Sequence, residues 1–268
     1  RLSYGKHSNS KSFRGGGQGN LSSLTGIGAG IEPFCAAEQR TIKPGFTLAE
    51  VLITLGIIGV VAAMTLPALT AKKQTKELET SLKKNYSILQ QAINKMSYDE
   101  GGTVKAGNYA PVTFYKPFSK YFNIVKACGT SGCVGKEDKE IEGEVINWYI
   151  DNYKTYSKSR NVATDYFDDG QIVLTDGSFY MIENPDNSTN YLFITVDVNG
   201  YSKKPNAWGH DLFTFEITKT GKFLPMGAEG TVFTDASTYC SPSSSHRLNG
   251  ISCTYKALTD KDYWKNLP

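Results

Sequence analysis

Glu50 carries the most demanding chemistry in this chain, because its carboxylate stands at the front edge of an apolar run, residues 51–69, that has no formal charge. An unpaired carboxylate at that depth costs about 2–3 kcal/mol even on lenient membrane-insertion scales, so it requires a specific partner. A second set of reactive groups is Cys128, Cys133, Cys240 and Cys253. Four cysteines allow three disulfide pairings, and the nearest-neighbour one closes a small loop and a larger C-terminal loop. Zinc is the competing chemistry, but one pair has four intervening residues and the other twelve. Oxygen ligands gather a third time at Asp197, Asn199, Asn206 and Asp211. They resemble half of a calcium-binding loop without its terminal Glu, and Lys203 and Lys204 would repel a cation. An Asn-Gly connection between strands is the first expectation there, and calcium at Asp197, Asn199 and Asp211 the second. His210 is expected in a loop. The sequence has no Gly-x-Ser-x-Gly, no metalloprotease histidine pair and no phosphate loop, so no enzyme is expected.

These groups need elements to hold them. The nineteen residues from 51 to 69 reach about 28 Å as a helix, close to the hydrocarbon thickness of a bilayer. Gly56, Gly59, Ala62 and Ala63 put small side chains along it, which lets neighbouring helices approach, and Pro67 removes a backbone donor near its end. Beyond it Leu78, Leu82, Tyr86, Leu89, Ile93 and Met96 recur every three or four residues, a stripe made for packing on a sheet. One helix over 46–98 with a bend at Pro67 is predicted, stopped by Gly101-Gly102. Residues 99–268 are then aromatic, polar and Gly-rich. Runs at 171–175 and 178–183 flank Asp176-Gly177, a two-residue hairpin signal, and 191–198 and 211–218 read as further strands. A mostly antiparallel sheet follows, with one face on the helix and the other partly wet. Residues 241–245 are a short polar loop, and no internal repeat is evident.

The run Lys43-Pro44-Gly45-Phe46-Thr47-Leu48-Ala49-Glu50-Val51-Leu52-Ile53 resembles the processing site of type IV prepilins and type II secretion pseudopilins. The resemblance is close from Lys43 to about Lys95 and architectural beyond. It implies an α+β, pilin-like fold, with a long N-terminal helix whose first half spans the membrane and whose second half packs on the sheet. It also implies that a prepilin peptidase cuts between Gly45 and Phe46 and methylates the new amino terminus of Phe46. Glu50, fifth in the mature chain, would then neutralise the terminal amine of a neighbouring subunit. Gly59 and Pro67 fall where pilins loosen or kink the first helix. The loop bounded by Cys240 and Cys253 resembles the disulfide-bounded C-terminal region of many pilins. Physically, the cut would set an ammonium and a carboxylate one helical turn apart in low dielectric, where an opposite charge within about 4–6 Å favours the ionised form.

Residues 1–45 are therefore expected to be a cytoplasmic leader removed on processing, with residues 46–69 crossing the membrane and 99–268 a head outside the cytoplasm. The leader is long for its kind and begins with Arg1, and the preferred explanation is that the true start lies inside it. It carries a net charge of +4 and leaves 23 basic against 24 acidic residues beyond it. The positive-inside tendency agrees with a cytoplasmic leader, although Lys72, Lys73 and Lys76 follow the apolar run. A near-neutral head has no electrostatic footprint for nucleic acid. Paired cysteines imply an oxidising compartment. The implied setting is the inner membrane as a single-pass protein, assembled into a periplasmic or surface filament. The implied partners are prepilin peptidase, other pilin or pseudopilin subunits and an inner-membrane assembly platform. The alternatives are a minor pilin in DNA uptake or adhesion, and a single-pass anchored binding or enzyme domain.

Overall fold

The computed structural model describes residues 45–130, 133, 139–141, 144–146, 153–162, 166–184 and 190–268. The expected leader up to residue 44 lies outside them. The described chain falls into two units divided between residues 53 and 54. The first contributes the start of helix α1 (Leu48–Asp99), which runs on uninterrupted through Pro67. No backbone N–H is available at Pro67 to bond one turn back. Just beyond it, the Thr70 hydroxyl donates to the carbonyls of Leu66 and Pro67 at 3.0 and 2.9 Å.

After α1 come α2 (Tyr115–Ser119), β1 (Ile124–Gly129), β2 (Lys139–Ile141), β3 (Glu144–Ile146), β4 (Gly170–Leu174), β5 (Phe179–Glu183), β6 (Tyr191–Asp197), β7 (Leu212–Thr218) and β8 (Phe223–Pro225). Two short helices, α3 (Ala236–Tyr239) and α4 (Cys253–Thr259), close the chain. Strands β2 and β3 pair only with each other, while the remaining six form one sheet in the order β1-β4-β5-β6-β7-β8. Every pairing in it is antiparallel. The β4–β5 hairpin turns at Asp176-Gly177 as the sequence predicts. Gly177 has φ +89°, a backbone region that needs no Cβ, and Asp176 accepts from the Ser178 N–H and hydroxyl. Edge strand β1 slips register twice against β4, and edge strand β8 is three residues long and ends in Pro225.

Period-two alternation sorts the central strands into two faces. Tyr180 and Ile182 of β5, Leu192, Ile194 and Val196 of β6, and Phe213, Phe215 and Ile217 of β7 share a core with Leu78, Leu82, Leu89, Ile93 and Met96 of α1. Tyr86 lies flat on Phe215 with ring centroids 5.6 Å apart. Inside this core the buried Asn85 accepts from the Tyr180 hydroxyl at 2.8 Å and donates to the Ser81 carbonyl, so its amide is satisfied on both sides. Lys84 pairs with Asp176 at 2.8 Å, tying the helix to the hairpin tip.

The opposite face is not wet, and here the expectation is corrected. Phe179, Met181 and Phe193 point away from α1 into a second cluster with Tyr153, Phe167, Trp208, Met226 and Ile251. The reason stands in the strands themselves. Phe-Tyr-Met-Ile-Glu and Tyr-Leu-Phe-Ile-Thr-Val-Asp are apolar on both sides of the pleat, the pattern of strands covered on both faces.

Candidate functional site

Thr47 and Glu50 form a reciprocal cap on α1. Glu50 Oε2 accepts from the Thr47 N–H and hydroxyl, both at 2.8 Å, while the Glu50 N–H donates to Thr47 Oγ1 at 3.2 Å. With Thr47 at the N-cap and Glu50 three residues in, this is a capping box, and the Thr-x-x-Glu spacing was its unread signal. Two of the helix's orphan donors are thereby satisfied without water. Both contacts fall on Oε2, which leaves Oε1 as the open oxygen. Gly45 and Phe46 precede the helix and are exposed.

Downstream, α1 is the one candidate membrane span among the described residues, with an apolar stretch of mean hydropathy 2.3 that is buried nowhere. Leu52, Ile57, Val60 and Leu66 are all exposed. Gly56 and Gly59 have open space where a Cβ would stand, so packing within this chain does not require their small size.

Of the three cysteine pairings open to the sequence, the structure holds the nearest-neighbour one. Cys128 is bonded to Cys133 across a separation of five residues, and Cys240 to Cys253 across thirteen. The second bond is buried and clamps a loop that Asn249 organises from within. The Asn249 side chain accepts from the Ser241 N–H at 3.0 Å and donates to the carbonyls of Ser241 and Ser244, both at 2.9 Å.

Asp197 and Asp211 meet in the interior, both fully buried. Asp197 accepts from the Tyr153 hydroxyl at 2.7 Å and from the Asn199 and Gly200 N–H groups at 3.2 and 2.8 Å. Asp211 accepts from the N–H groups of Asn206 and Ala207, both at 2.7 Å. Burial first, and then the charge of Asp211, push the Asp197 carboxyl well above its usual range. Burial raises Asp211 to about 6, against the backbone donors that pull it down. The amide oxygens of Asn199 and Asn206 are buried and accept nothing. His210, between Asp197 and Asp211 in sequence, lies in a turn, as expected, and is buried there. Its Nε2 bonds the Tyr156 carbonyl at 2.9 Å, and burial lowers its pKa to about 4, which keeps the ring neutral.

One acidic group escaped the sequence reading. Carboxylate oxygens of Asp168, Asp169 and Glu183 lie within 4.8 Å of one another, brought together by pairing of β4 with β5. Only the tandem Asp168-Asp169 was visible beforehand, and the third member needed the strand register.

Residues 42–66 match the family model of the prokaryotic N-terminal methylation motif, which is characteristic of type IV pilins and pseudopilins. Comparison with curated proteins and with solved structures returns no match. The motif and the single apolar helix fit a single-pass, membrane-anchored protein.

Proposed function

We propose that this chain is a structural subunit of a type IV pilus-like or type II secretion pseudopilus filament, cut by prepilin peptidase between Gly45 and Phe46 and methylated on the new terminus. The observation that carries this is an acid held at the mouth of an exposed apolar helix, inside the methylation motif, with one carboxylate oxygen still open. In a bundle of such helices an incoming ammonium from the next subunit's Phe46 would find Oε1 of Glu50. Partners of that reading are further copies or related subunits and an inner-membrane assembly platform, with the head outside the cytoplasm. The role is scaffolding rather than catalysis.

Mass spectrometry of protein recovered from membranes tests the processing step. The expected amino terminus is N-methylated Phe46, and Gly45→Val, which places a branched side chain at the cut, is expected to leave only the longer form. Any other mature terminus contradicts the proposal.

A calcium ion beside Asp197, Asn199 and Asp211 belongs to the same proposal. Two buried carboxylates and two amide oxygens without partners are an all-oxygen donor set of the kind a hard cation takes. Millimolar calcium is expected to raise the unfolding temperature by several degrees over a chelated sample. An unchanged temperature removes the ion and leaves the pair held by its N–H donors and the Tyr153 hydroxyl.

A further inference from the structure

The sequence holds two arginines after Gly45, Arg160 and Arg247, among 21 lysines. They lie 87 residues apart in sequence, yet both line one surface pocket of about 650 Å³. The rest of its wall is Tyr166, Ser244, Ser245, His246 and Leu248. Among the described residues no carboxylate lines it. Every polar side chain on that wall is able to donate a hydrogen bond. We infer that this pocket binds an oxyanion carried on a sugar-sized ligand, a phosphorylated or carboxylated saccharide unit, through the guanidinium groups of Arg160 and Arg247.

The wall is built in advance. Arg160 Nη1 donates to the Ser245 carbonyl at 3.0 Å, which holds the guanidinium at the pocket while its other N–H groups stay available. The Ser157 hydroxyl donates to the Ser244 carbonyl at 3.2 Å, joining the two chain segments that bring the arginines together. On the far side the loop is closed by the Cys240–Cys253 bond and pinned from inside by Asn249. His246 Nδ1 accepts from the Leu248 N–H at 3.1 Å, so in the neutral ring the proton sits on Nε2, a further donor. Its ring is braced edge-on against Tyr239 at 5.2 Å.

The choice of ligand follows from chemistry and size. Planar guanidinium forks match the paired oxygens of phosphate and carboxylate, which lysine does not do. A lone inorganic ion would leave nearly all of the volume empty, whereas a monosaccharide carrying the anion occupies more of it and is large enough to reach the Ser and Tyr hydroxyls as well. A long polyanion is a poor fit, because beyond Gly45 the acidic residues slightly outnumber the basic ones and two guanidinium groups neutralise only a single anionic unit.

The test is calorimetric titration of the full chain in phosphatidylcholine nanodiscs. The probes are glucose 1-phosphate, glucuronate, glucose and inorganic phosphate. The expected result is that one or both anionic sugars bind at least tenfold more tightly than glucose and than inorganic phosphate, with affinity falling as salt rises. Which anionic sugar binds assigns phosphate or carboxylate as the anion. Arg247 makes no hydrogen bond or ion pair among the described residues, so Arg247→Gln is expected to preserve the fold and weaken binding at least tenfold. Arg247→Lys is expected to fall between the two, keeping charge without the fork. Glucose binding as tightly as the anions, inorganic phosphate matching the sugar phosphate, no binding of any anion, or undiminished binding in Arg247→Gln would each overturn the assignment.

Discussion

The carboxylate of Glu50 is committed within its own chain before any neighbour arrives, and Thr47 is the reason. At Asp197 and Asp211, by contrast, burial outweighs the local donors and disfavours the charge, with a measurable consequence for pH. Asp211 has its folded pKa raised from 3.8 to about 6, so its ionised form is disfavoured on folding. Its contribution to stability is best below about 4 and is lost as pH rises through 6. His210 runs the other way. With its folded pKa lowered from 6.5 to about 4, it leaves stability intact above 6.5 and removes it as pH falls toward 4. The two slopes oppose each other between about pH 4 and 6, each at most about 1.4 kcal/mol per pH unit. Replacing His210→Gln in chelator leaves the carboxylate slope alone, so the variant is expected to gain unfolding temperature from pH 7 to 5 relative to the unmodified chain. Identical pH profiles for the two proteins would refute this account.

Among the elements, helix α1 and the β4–β5 hairpin were legible because each announces itself in a short window. Leu78, Leu82, Leu89, Ile93 and Met96 keep helical spacing, and Asp176-Gly177 sits between two apolar runs. What stayed hidden depends on residues far apart in sequence. The second core needed segments 153–162 and 240–253 to come across the sheet, and no local pattern places Tyr153 or Ile251 against Phe179. The burial of Asn85 likewise depends on Tyr180, 95 residues away, whose hydroxyl donates to its amide oxygen. The Thr47–Glu50 cap, in contrast, is written in the local Thr-x-x-Glu spacing. The loop closed by Cys240 and Cys253 makes an energetic prediction of its own. A closed loop of this size is worth about 3 kcal/mol in the chain-entropy account. Cys240→Ala with Cys253→Ala is therefore expected to lower unfolding free energy by about 2–4 kcal/mol in denaturant. A loss below about 0.5 kcal/mol would mean that Asn249 and its hydrogen bonds hold the loop unaided.

At the scale of the whole molecule, anchoring and assembly make separable demands on α1. Glu50→Leu makes the apolar segment more hydrophobic, so membrane insertion is expected to be at least as efficient. It also deletes the group that would neutralise a neighbour's terminus. The variant is expected to be cut at Gly45, to stay in the membrane and to enter filaments at a small fraction of the unmodified level, read by subunit cross-linking in cells. Assembly at the unmodified level would make the carboxylate a capping residue alone.

In the filament proposed above, the sheet margins would restrict how the heads could join. Strand β1 breaks its ladder twice, and β8 stops after three residues at a proline, which has no N–H to offer. Both margins thus lack the long, regular row of free backbone groups on which a foreign strand could dock. With both faces of the central strands already covered, a growing stack of heads gains no cross-β continuity, and amyloid-like zippering of folded subunits is closed off from the start. Cohesion has to come from side-chain surfaces and from the bare apolar half of α1, contacts that slide and release far more readily than a hydrogen-bonded ladder.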